Sequence, residues 1–311
     1  MWGREPPSLL AEEDSCQPYM TNLAVLIACH NRREKTLECL HAVIEAARIA
    51  QVELAIFLVD DGSTDGTAAA ACNLFPPTHV LTGSGGLFWN RAMAWAFSEA
   101  HKANYDFYFW LNDDTLLKPD CLARMMHTYA DITQADQVDG NAIIVGTTAG
   151  RTGETPTYGG LEMVSRWRPL SFRLVQPTDA ARRCDTMNGN CVLVPRPVVD
   201  RIGILDATFA HAMGDIDYGL RARRAGVGVW ISPGIVGYCD RNTTADTWQD
   251  MTLPLSARWR KLLQPKALPP RSWYALTRRH AGPLWPLYWV WPYLHVLLGG
   301  IWQHKARGAT E

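Results

Sequence analysis

LAIFLVDDGSTDGT, residues 54–67, is the stretch that decides the fold: an apolar run, two aspartates, and a polar segment that contains two glycines. A short continuous apolar run that ends in turn residues is typical of a strand buried on both faces, as in a parallel sheet. The following helix is expected to begin near Thr64 or Asp65, because both residue types favour the N-cap position. The stretch therefore predicts one strand–loop–helix unit with a polar tip.

The same alternation extends to both sides of this unit. Further strands are predicted at Leu23–Cys29, Thr78–Thr82, Phe107–Leu111 and Ala142–Gly146. Further helices are predicted at Arg33–Gln51 and Phe88–Ala103, and Pro119 is expected to open another. This alternation predicts an α/β fold with a mostly parallel central sheet and helices on both faces. The stretch Thr147–Asp185, rich in Gly, Thr, Pro and Arg, is expected to include a flexible, substrate-facing loop.

The amino-acid composition argues against a nucleic-acid-binding protein, a zinc protein and a disulfide-stabilised secreted protein. The 311 residues carry 30 Lys and Arg against 31 Asp and Glu, so nothing in the net charge of −1 favours a nucleic-acid partner. The eight cysteines include no Cys-x-x-Cys pair, which argues against a zinc site or a disulfide framework. Residues 1–21 read as a polar tail without the apolar run of a signal peptide, so the catalytic part is expected in a reducing cytoplasm.

Polar residues follow each of the first four predicted strands. They are His30-Asn31-Arg32, residues 60–67, Gly83-Ser84-Gly85-Gly86, and Asn112-Asp113-Asp114. Taken singly, Asp-Gly and Gly-Gly pairs are ordinary turn residues. In open α/β sheets, however, ligands bind beyond the carboxyl ends of the strands, so we expect all four tips to meet in one crevice.

The acidic pair Asp113-Asp114 is the most informative of these tips. Two adjacent carboxylates repel one another unless a cation or hydrogen-bond donors offset them. Oxygen ligands of this kind suit Mg²⁺ or Mn²⁺, which can bridge protein carboxylates and a diphosphate. The alternative is a solvated helix-capping cluster before Pro119.

Five blocks in order resemble the family 2 glycosyltransferases, inverting enzymes with the Rossmann-like GT-A fold. The blocks are 30–32, 59–67, 111–114, 188–196 (NGNCVLVPR) and 214–221 (GDIDYGLR), and the similarity covers roughly residues 23–242. The resemblance implies a catalytic domain over 22–247 that uses a nucleotide-sugar donor.

The resemblance also implies roles for individual residues. Asp61, together with Asp60, is expected to read the nucleotide base. The implied donor-binding residues are Ala28, Asn31, Arg32, Asp60, Asp61, Asn90, Arg91, Asn112 and Asp113. For Asn90 and Arg91 the alternative is an ordinary surface position on a helix. Asp114 ends a motif similar to the family's Asp-x-Asp and is implied to bind the Mn²⁺ or Mg²⁺ ion.

Asp215 is the implied catalytic base. It lies at the start of a predicted amphipathic helix, whose dipole is expected to keep the carboxylate ionised. The family usually has Glu-Asp at this position, whereas this chain has Gly214-Asp215. Asp217 is the competing candidate, and a simple N-cap role is the alternative for Asp215. The implied acceptor or sugar contacts are Asn188, Gly189, His211 and Asp217.

The sequence departs from the pattern of the resembled family at one expected metal ligand. Many relatives have a metal-ligating histidine after the strand that follows the base helix, but residues 235–242 (IVGYCDRN) contain none. Either Asp240 or water is expected to take its place, or metal binding is weaker; His211 is a further candidate.

Residues 248–311 form a basic and aromatic C-terminal region. Within it, residues 281–302 contain no Asp, Glu, Lys or Arg and are long enough to cross a bilayer, but Pro283, Pro286 and Pro292 argue against a straight spanning helix. The many Trp and Tyr residues favour a membrane–water interface. We expect an interfacial docking segment; a helical hairpin packed on the catalytic domain, or a dimer contact, is the alternative.

The combined expectation is a metal-dependent, inverting hexosyl- or deoxyhexosyltransferase. It moves a sugar from a UDP- or dTDP-activated donor to a hydroxyl of a glycan or lipid-linked glycan in cell-surface polysaccharide synthesis, and it lies peripherally on the inner face of the cytoplasmic membrane. One rival is a sugar-nucleotide nucleotidyltransferase, whose Gly-rich loop with Thr-Arg is replaced here by Cys29–Arg32. The other is a non-catalytic glycan-binding module, against which the acidic residues Asp61, Asp114 and Asp215 argue.

Overall fold

A computed structural model describes residues 20–135, 141–153, 155–165, 167–243 and 245–307, with the main chain only from 300 to 307. The predicted polar tail, residues 1–21, lies outside the described residues apart from its last two.

Strands and helices alternate along the first half of the chain. The strands are β1 (Asn22–Cys29), β2 (Glu53–Asp60), β3 (Thr78–Thr82), β4 (Phe107–Leu111), β5 (Leu116–Leu117), β6 (Ala142–Ala149), β7 (Pro156–Tyr158), β8 (Gly160–Ser165), β9 (Arg168–Leu174), β10 (Arg182–Cys184), β11 (Thr186–Met187), β12 (Cys191–Pro195) and β13 (Gly228–Tyr238). The helices are α1 (Arg33–Ala50), α2 (Thr67–Leu74), α3 (Phe88–His101), α4 (Cys121–Ala135), α5 (Arg196–Ile202), α6 (Gly214–Arg224), α7 (Leu255–Leu262), α8 (Pro270–His280) and α9 (Trp285–Arg307), with a 3₁₀ turn at Gly282–Leu284.

The main sheet has the order β10-β13-β6-β12-β4-β1-β2-β3. Pairing is parallel from β4 through β1 and β2 to β3 and again between β6 and β13, while β12 and β10 run antiparallel to their neighbours. In the register of β1 and β2, Cys29 is opposite Asp60, so the two strands end side by side. The predicted mostly parallel α/β fold is confirmed.

Helices cover both faces of this sheet. On one face α3, α5 and α6 bury an apolar layer that includes Phe97, Val198 and Tyr218. On the other face α1, α2 and α4 bury a second layer that includes Leu40 and Met125. Strand β1 contributes alternate residues to the two layers, which explains why its sequence is apolar at nearly every position.

Several boundaries differ from the sequence expectation. Helix α2 begins at Thr67 rather than near Thr64, because Gly66 adopts a left-handed conformation (φ 79°) and Asp65 accepts the Thr67 N–H at 3.1 Å. Helix α4 begins at Cys121, two residues after Pro119.

The stretch predicted to include a flexible loop, 147–185, instead contains strands β7 to β10. Strands β8 and β9 form a hairpin that joins β11 in a separate three-stranded sheet. Gly160, a turn residue by sequence, lies in this tight packing: a Cβ there would come within 2.3 Å of Ile231 and 2.7 Å of Cys184. Glycines that permit close packing resemble loop glycines in sequence, and for this reason the strands were missed.

The C-terminal region is helical. Helix α9 runs for 23 residues with Pro292 inside it, so the prolines do not interrupt the helix. Helix α8 packs on the catalytic part through Leu276, which contacts Phe209 and Met213. The indole N–H of Trp273 on α8 lies 3.2 Å from the Tyr288 carbonyl of α9, so one side of α9 is attached to α8. Within the described residues, no helix combines the length and hydrophobicity that crossing a bilayer requires.

Candidate active site

A cavity of about 780 Å³ opens at the carboxyl ends of the parallel strands. Residues from all four predicted tips line it: His30 and Arg32 after β1, Asp61 after β2, Gly85 after β3, and Asn112, Asp113 and Asp114 after β4. Ala28, Asn188, Gly189, His211 and Asp215 also line it. The structure therefore brings together most of the residues that the sequence analysis selected.

Asp61 organises the loop that follows β3. One carboxylate oxygen accepts the Gly85 N–H at 2.8 Å, and the other accepts the Leu87 N–H at 2.8 Å and the Phe88 N–H at 3.2 Å. Because a carboxylate has about four acceptor positions, Asp61 can still take one further donor from a ligand.

Asp60 and Asn31 do not line the cavity. The Asp60 carboxylate accepts the Ser63 N–H at 2.9 Å, and the Asn31 side-chain oxygen accepts the Thr64 N–H at 2.9 Å. Both side chains shape the 60–64 turn instead of reaching the donor pocket, so the donor contacts predicted for them are not carried further.

Arg32 lies between the two acidic residues of the β4 tip. Its Nη1 is 3.1 Å from Asp113 Oδ1 and 3.0 Å from Asp114 Oδ2. The Asp113 carboxyl is nearly buried, and this burial raises its pKa to about 6 although the charge of Arg32 opposes the change. One guanidinium thus faces two carboxylates, and the tip keeps an excess of negative charge.

Asp114 is the residue of this tip that fits a divalent ion. In the described parts of the chain, no group of three or more His, Cys, Asp or Glu side chains is arranged as a metal centre. Mg²⁺-type ions, however, commonly take one or two protein carboxylates and complete their shell with phosphate and water. Asp114, with its side chain 27% exposed, suits that role once its pairing with Arg32 opens.

Cys239 lies beside Asp114, at the position where a histidine or Asp240 was expected to bind the metal. Its Sγ is 3.5 Å from Asp114 Oδ1, and burial, with Asp114 nearby, raises the pKa of this thiol to about 12. A protonated thiol is a poor ligand for a hard cation. Asp240 is directed elsewhere, where it accepts the Arg151 N–H at 2.9 Å.

Asp215 lies in the first turn of α6 and lines the cavity. Its Oδ2 accepts the Gly189 N–H at 3.0 Å and its Oδ1 accepts the Ile216 N–H at 2.8 Å. Burial raises the pKa of this carboxyl above its usual value, although the two backbone N–H groups oppose the change. Burial therefore outweighs these two hydrogen bonds, and the carboxylate has an increased affinity for a proton.

Asp217 is directed away from the cavity. It is fully buried, with Arg221 Nε 2.8 Å from Oδ2, Arg279 Nη1 3.1 Å from Oδ1 and His280 Nε2 2.9 Å from Oδ1. Burial alone would raise its pKa, but the His280 hydrogen bond and the charge of Arg221 outweigh it, and the pKa lies below the usual value. The predicted acceptor contact is replaced by a structural ion-pair network between α6 and α8.

Asn90 and Arg91 also do not reach the cavity. The buried Asn90 amide donates to the carbonyls of Asp206 at 2.9 Å and Phe209 at 2.8 Å, which attaches α3 to the segment before α6. A Cβ on Gly214 would come within 1.7 Å of Asn90 Oδ1. A glutamate, usual before the base in the resembled family, therefore has no room beside Asn90.

Comparison with known families agrees with this geometry. The model of glycosyl transferase family 2 matches residues 24–195, more than half of the chain. The chain belongs to this family. No curated protein matches the sequence of this family 2 glycosyltransferase.

Solved structures similar to this family 2 glycosyltransferase have the GT-A fold. Mannosyltransferase PcManGT from Pyrobaculum calidifontis, in complex with GDP-Man and Mn²⁺, is 17% identical, with 94% of this chain and 77% of that chain covered and a TM-score of 0.50. GalNAc-T7 with UDP, GalNAc and Mn²⁺ is 13% identical, covering 75% and 49%, and S. aureus TarS is 13% identical, covering 83% and 42%, both with a TM-score of 0.50. The chain thus spans about half the length of GalNAc-T7, and at these identities the likeness concerns the fold.

Trp89 and Lys266 are among the cavity-lining residues of this family 2 glycosyltransferase that the sequence did not indicate. The Trp89 indole N–H donates to Asn112 Oδ1 at 2.8 Å, and a Cβ on Gly189 would come within 2.3 Å of the Trp89 ring. Lys266, from the segment between α7 and α8, also lines the cavity. Burial, with Lys266 and Arg32 adding to it, lowers the pKa of His211 to about 4, so this imidazole is neutral at pH 7. Trp89 follows a recognised tip by three residues and could have been found; Lys266 carries no such signal.

Proposed function

We propose that this protein transfers a sugar, with inversion, from a nucleoside-diphosphate donor to a hydroxyl group of an acceptor glycan. One observation carries the proposal: a single cavity contains both an acidic tip with Arg32, suited to a cation-bound diphosphate, and the proton acceptor Asp215. In the described part of the chain, no ion pair to Asp215 occurs. UDP- and dTDP-sugars are the proposed donors, with Ala28 and Asp61 on the nucleotide side of the cavity.

The proposed donor site uses the charges of the β4 tip. Asp114 would bind a Mn²⁺ or Mg²⁺ ion, which would offset the charge of the departing diphosphate. Arg32 then has to leave at least one of its two carboxylates, and its guanidinium becomes available to a phosphate oxygen. Trp89 keeps the Asn112 side chain oriented beside this position.

Asp215 is the proposed general base. The carboxylate accepts the proton of the acceptor hydroxyl while that oxygen attacks the anomeric carbon on the face opposite the leaving diphosphate. One displacement inverts the configuration at this carbon and leaves no covalent enzyme intermediate. The two backbone N–H groups on its oxygens fix the orientation of the carboxylate, and its raised pKa strengthens it as a base.

The proposed acceptor is a glycan or lipid-linked glycan of cell-surface polysaccharide synthesis, bound near Asn188, Gly189 and His211. A neutral His211 can exchange hydrogen bonds with sugar hydroxyls without the cost of a buried charge. We propose that the enzyme works peripherally at the inner face of the cytoplasmic membrane, with residues 281–302 as the contact.

A nucleotide panel tests the proposal directly. We would measure binding of UDP, dTDP and GDP by calorimetry with and without Mn²⁺, and then hydrolysis of the matching sugar donors. One nucleoside diphosphate is expected to bind in the presence of Mn²⁺, and its donor is expected to be turned over. Absence of binding by all three would contradict the proposal, and binding without turnover or transfer would indicate a non-catalytic binding module.

A further inference from the structure

Between Trp285 and Leu298, helix α9 has large apolar side chains on two opposite sides, and among the residues that the structure describes, protein covers one of these sides. The covered side includes Trp285, Tyr288, Trp289, Tyr293 and Val296, of which Val296 is fully buried. Trp289 donates its indole N–H to the Pro270 carbonyl at 3.2 Å, and Tyr293 donates its hydroxyl to the Leu268 carbonyl at 2.8 Å. These contacts account for the aromatic residues on that side and leave the opposite side without a partner from α8.

The opposite side of α9 exposes large apolar side chains. They are Leu287 (67% exposed), Val290, Trp291 (60% exposed), Leu294, Leu297 and Leu298, preceded by Leu284 in the 3₁₀ turn. Positions 284, 287, 291, 294 and 298 recur at the three- and four-residue spacing of one helix face. A helix that is apolar all round is normally buried in protein or in lipid, so this face requires a cover.

A second element adds to the same surface. The turn between β8 and β9 carries Trp167, whose side chain is 79% exposed, and β8 adds Val164, which is 47% exposed. The Tyr288 hydroxyl of α9 donates to the Trp167 carbonyl at 2.7 Å, so the hairpin turn lies against the helix. Trp167 is more than a hundred residues from α9 in sequence, and the fold alone makes them neighbours.

The segment of the chain that contains α9 is basic. Residues 251–310 contain nine Lys or Arg and no Asp or Glu, in a protein whose net charge is −1. Arg258 is buried, and Lys261 and Arg279 pair with aspartates, but Arg260, Lys266, Arg271 and Arg278 are exposed. Arg168 is exposed next to Trp167.

We propose that the outer face of α9 and the β8–β9 turn form one docking surface for an anionic lipid bilayer. Apolar side chains would enter the boundary between headgroups and acyl chains, while the exposed arginines and lysines contact anionic headgroups. This surface adds the β8–β9 hairpin, which is distant in sequence, to the membrane contact proposed for residues 281–302. It also specifies that the lipid is anionic. It does not depend on the proposed catalytic function.

Charge favours a bilayer over a second copy of the chain. A two-fold dimer places the same patch of each copy against the other. Here such a dimer would bring two sets of exposed cations together with no acidic residue from 251 to 310 to offset them. An anionic lipid surface supplies the missing negative charge.

The C-terminal region also contributes Lys266 to the cavity wall. The same region therefore forms both the docking surface and one side of the active site. This arrangement suits an acceptor that is itself anchored in the bilayer.

Vesicle flotation with the full-length protein tests the surface. Vesicles of phosphatidylcholine alone are compared with vesicles that also contain phosphatidylglycerol, at low and high salt. We expect binding to the anionic vesicles, weakened by salt. Leu287→Glu should reduce that binding about tenfold or more, because a side chain that enters the lipid becomes charged, and Trp167→Ala should reduce it by about threefold or more.

Ile49→Glu is the matched control, since Ile49 is an exposed apolar residue at the end of α1. It should bind vesicles as the wild type does, and equal melting midpoints for all variants would show that they fold. Equal binding to both vesicle types, or wild-type binding by Leu287→Glu, would overturn the proposal. So would a wild-type dimer, seen by sedimentation, that Leu287→Glu dissociates while vesicles leave the wild type unbound.

Discussion

The first turn of α6 directs two aspartates into two different regions of the molecule. Asp215 faces the cavity, where its oxygens accept hydrogen bonds from the backbone N–H groups of Gly189 and Ile216, and its pKa is raised. Asp217 faces α8, where two arginines and a histidine contact it, and its pKa is lowered. The same side chain, two positions apart, thus has an increased proton affinity in one region and is part of a structural ion-pair network in the other.

The two regions differ in the source of the positive charge that offsets the carboxylates. At the α6–α8 interface the chain itself provides it, so the ion pairs are complete in the free protein. In the cavity one guanidinium serves both Asp113 and Asp114, and within the described ranges no ion pair is made to Asp215, so part of the compensation is left to the substrate. Incomplete charge pairing is a feature of functional sites, because complete pairing leaves little to gain from a ligand.

Asp215→Asn should have the largest effect. Removing a general base lowers kcat by about 10²- to 10⁴-fold, whereas nucleotide binding should not change because the proposed role of Asp215 is toward the acceptor hydroxyl. Single-turnover transfer and calorimetry with the bound nucleotide measure the two quantities. A variant that keeps its turnover would show that another group accepts the proton.

Asp217→Asn should affect stability instead. Loss of the buried carboxylate leaves Arg221 without its ion-pair partner and Arg279 with Asp206 alone, and we expect the free energy of unfolding to fall by about 3 kcal/mol. Urea unfolding measures this change at neutral pH. Because the pKa of Asp217 is lowered on folding, its contribution is present above the unfolded-state pKa of about 3.9 and is lost as the pH falls through the folded pKa. The difference in the free energy of unfolding between wild type and variant should therefore disappear at acid pH. An equal difference at all pH values would show that the ion pairs of Asp217 do not stabilise the fold.

The pH dependence of activity should reflect the raised pKa of Asp215 in the cavity. Since burial raises the pKa of Asp215, the base becomes protonated at a pH above the usual carboxyl value of about 3.9, and kcat/KM should fall about tenfold per pH unit below that point. Nucleotide binding measured over the same range separates this effect from changes at Asp113. An acid limb at or below the ordinary carboxyl value would argue against a desolvated base.

Arg32→Gln should have the smallest of these effects. Without the guanidinium, Asp113 and Asp114 repel one another and attract a cation more strongly, so Mn²⁺ alone should bind about fivefold more tightly. Paramagnetic resonance of free Mn²⁺ measures this without turnover. Arg48→Gln, which removes an exposed arginine paired with Glu45 on α1, is the control and should leave Mn²⁺ binding unchanged. Equal Mn²⁺ binding by wild type and Arg32→Gln would show that Arg32 does not compete with the cation.

The amino-acid sequence determined strands β1 to β4 and their tips. The run at 107–111 became a strand with the predicted bounds, because a continuous apolar run buried on both faces has few alternatives. Residues 78–82 also kept their predicted bounds, as the edge strand β3. Convergence of the tips followed as well, since parallel neighbours such as β1 and β2 end side by side.

Only the tertiary structure decided what each polar side chain does. Helix spacing places Asp215 and Asp217 on different sides of α6 but does not say which side faces the cavity. Asn90 resembles a donor contact until its amide is seen to bind the carbonyls of Asp206 and Phe209. The proximity of Trp167 to Tyr288 likewise has no local signal. The physical reason is that a backbone pattern depends on near neighbours in sequence, whereas burial, charge and hydrogen-bond partners come from elements that are distant along the chain.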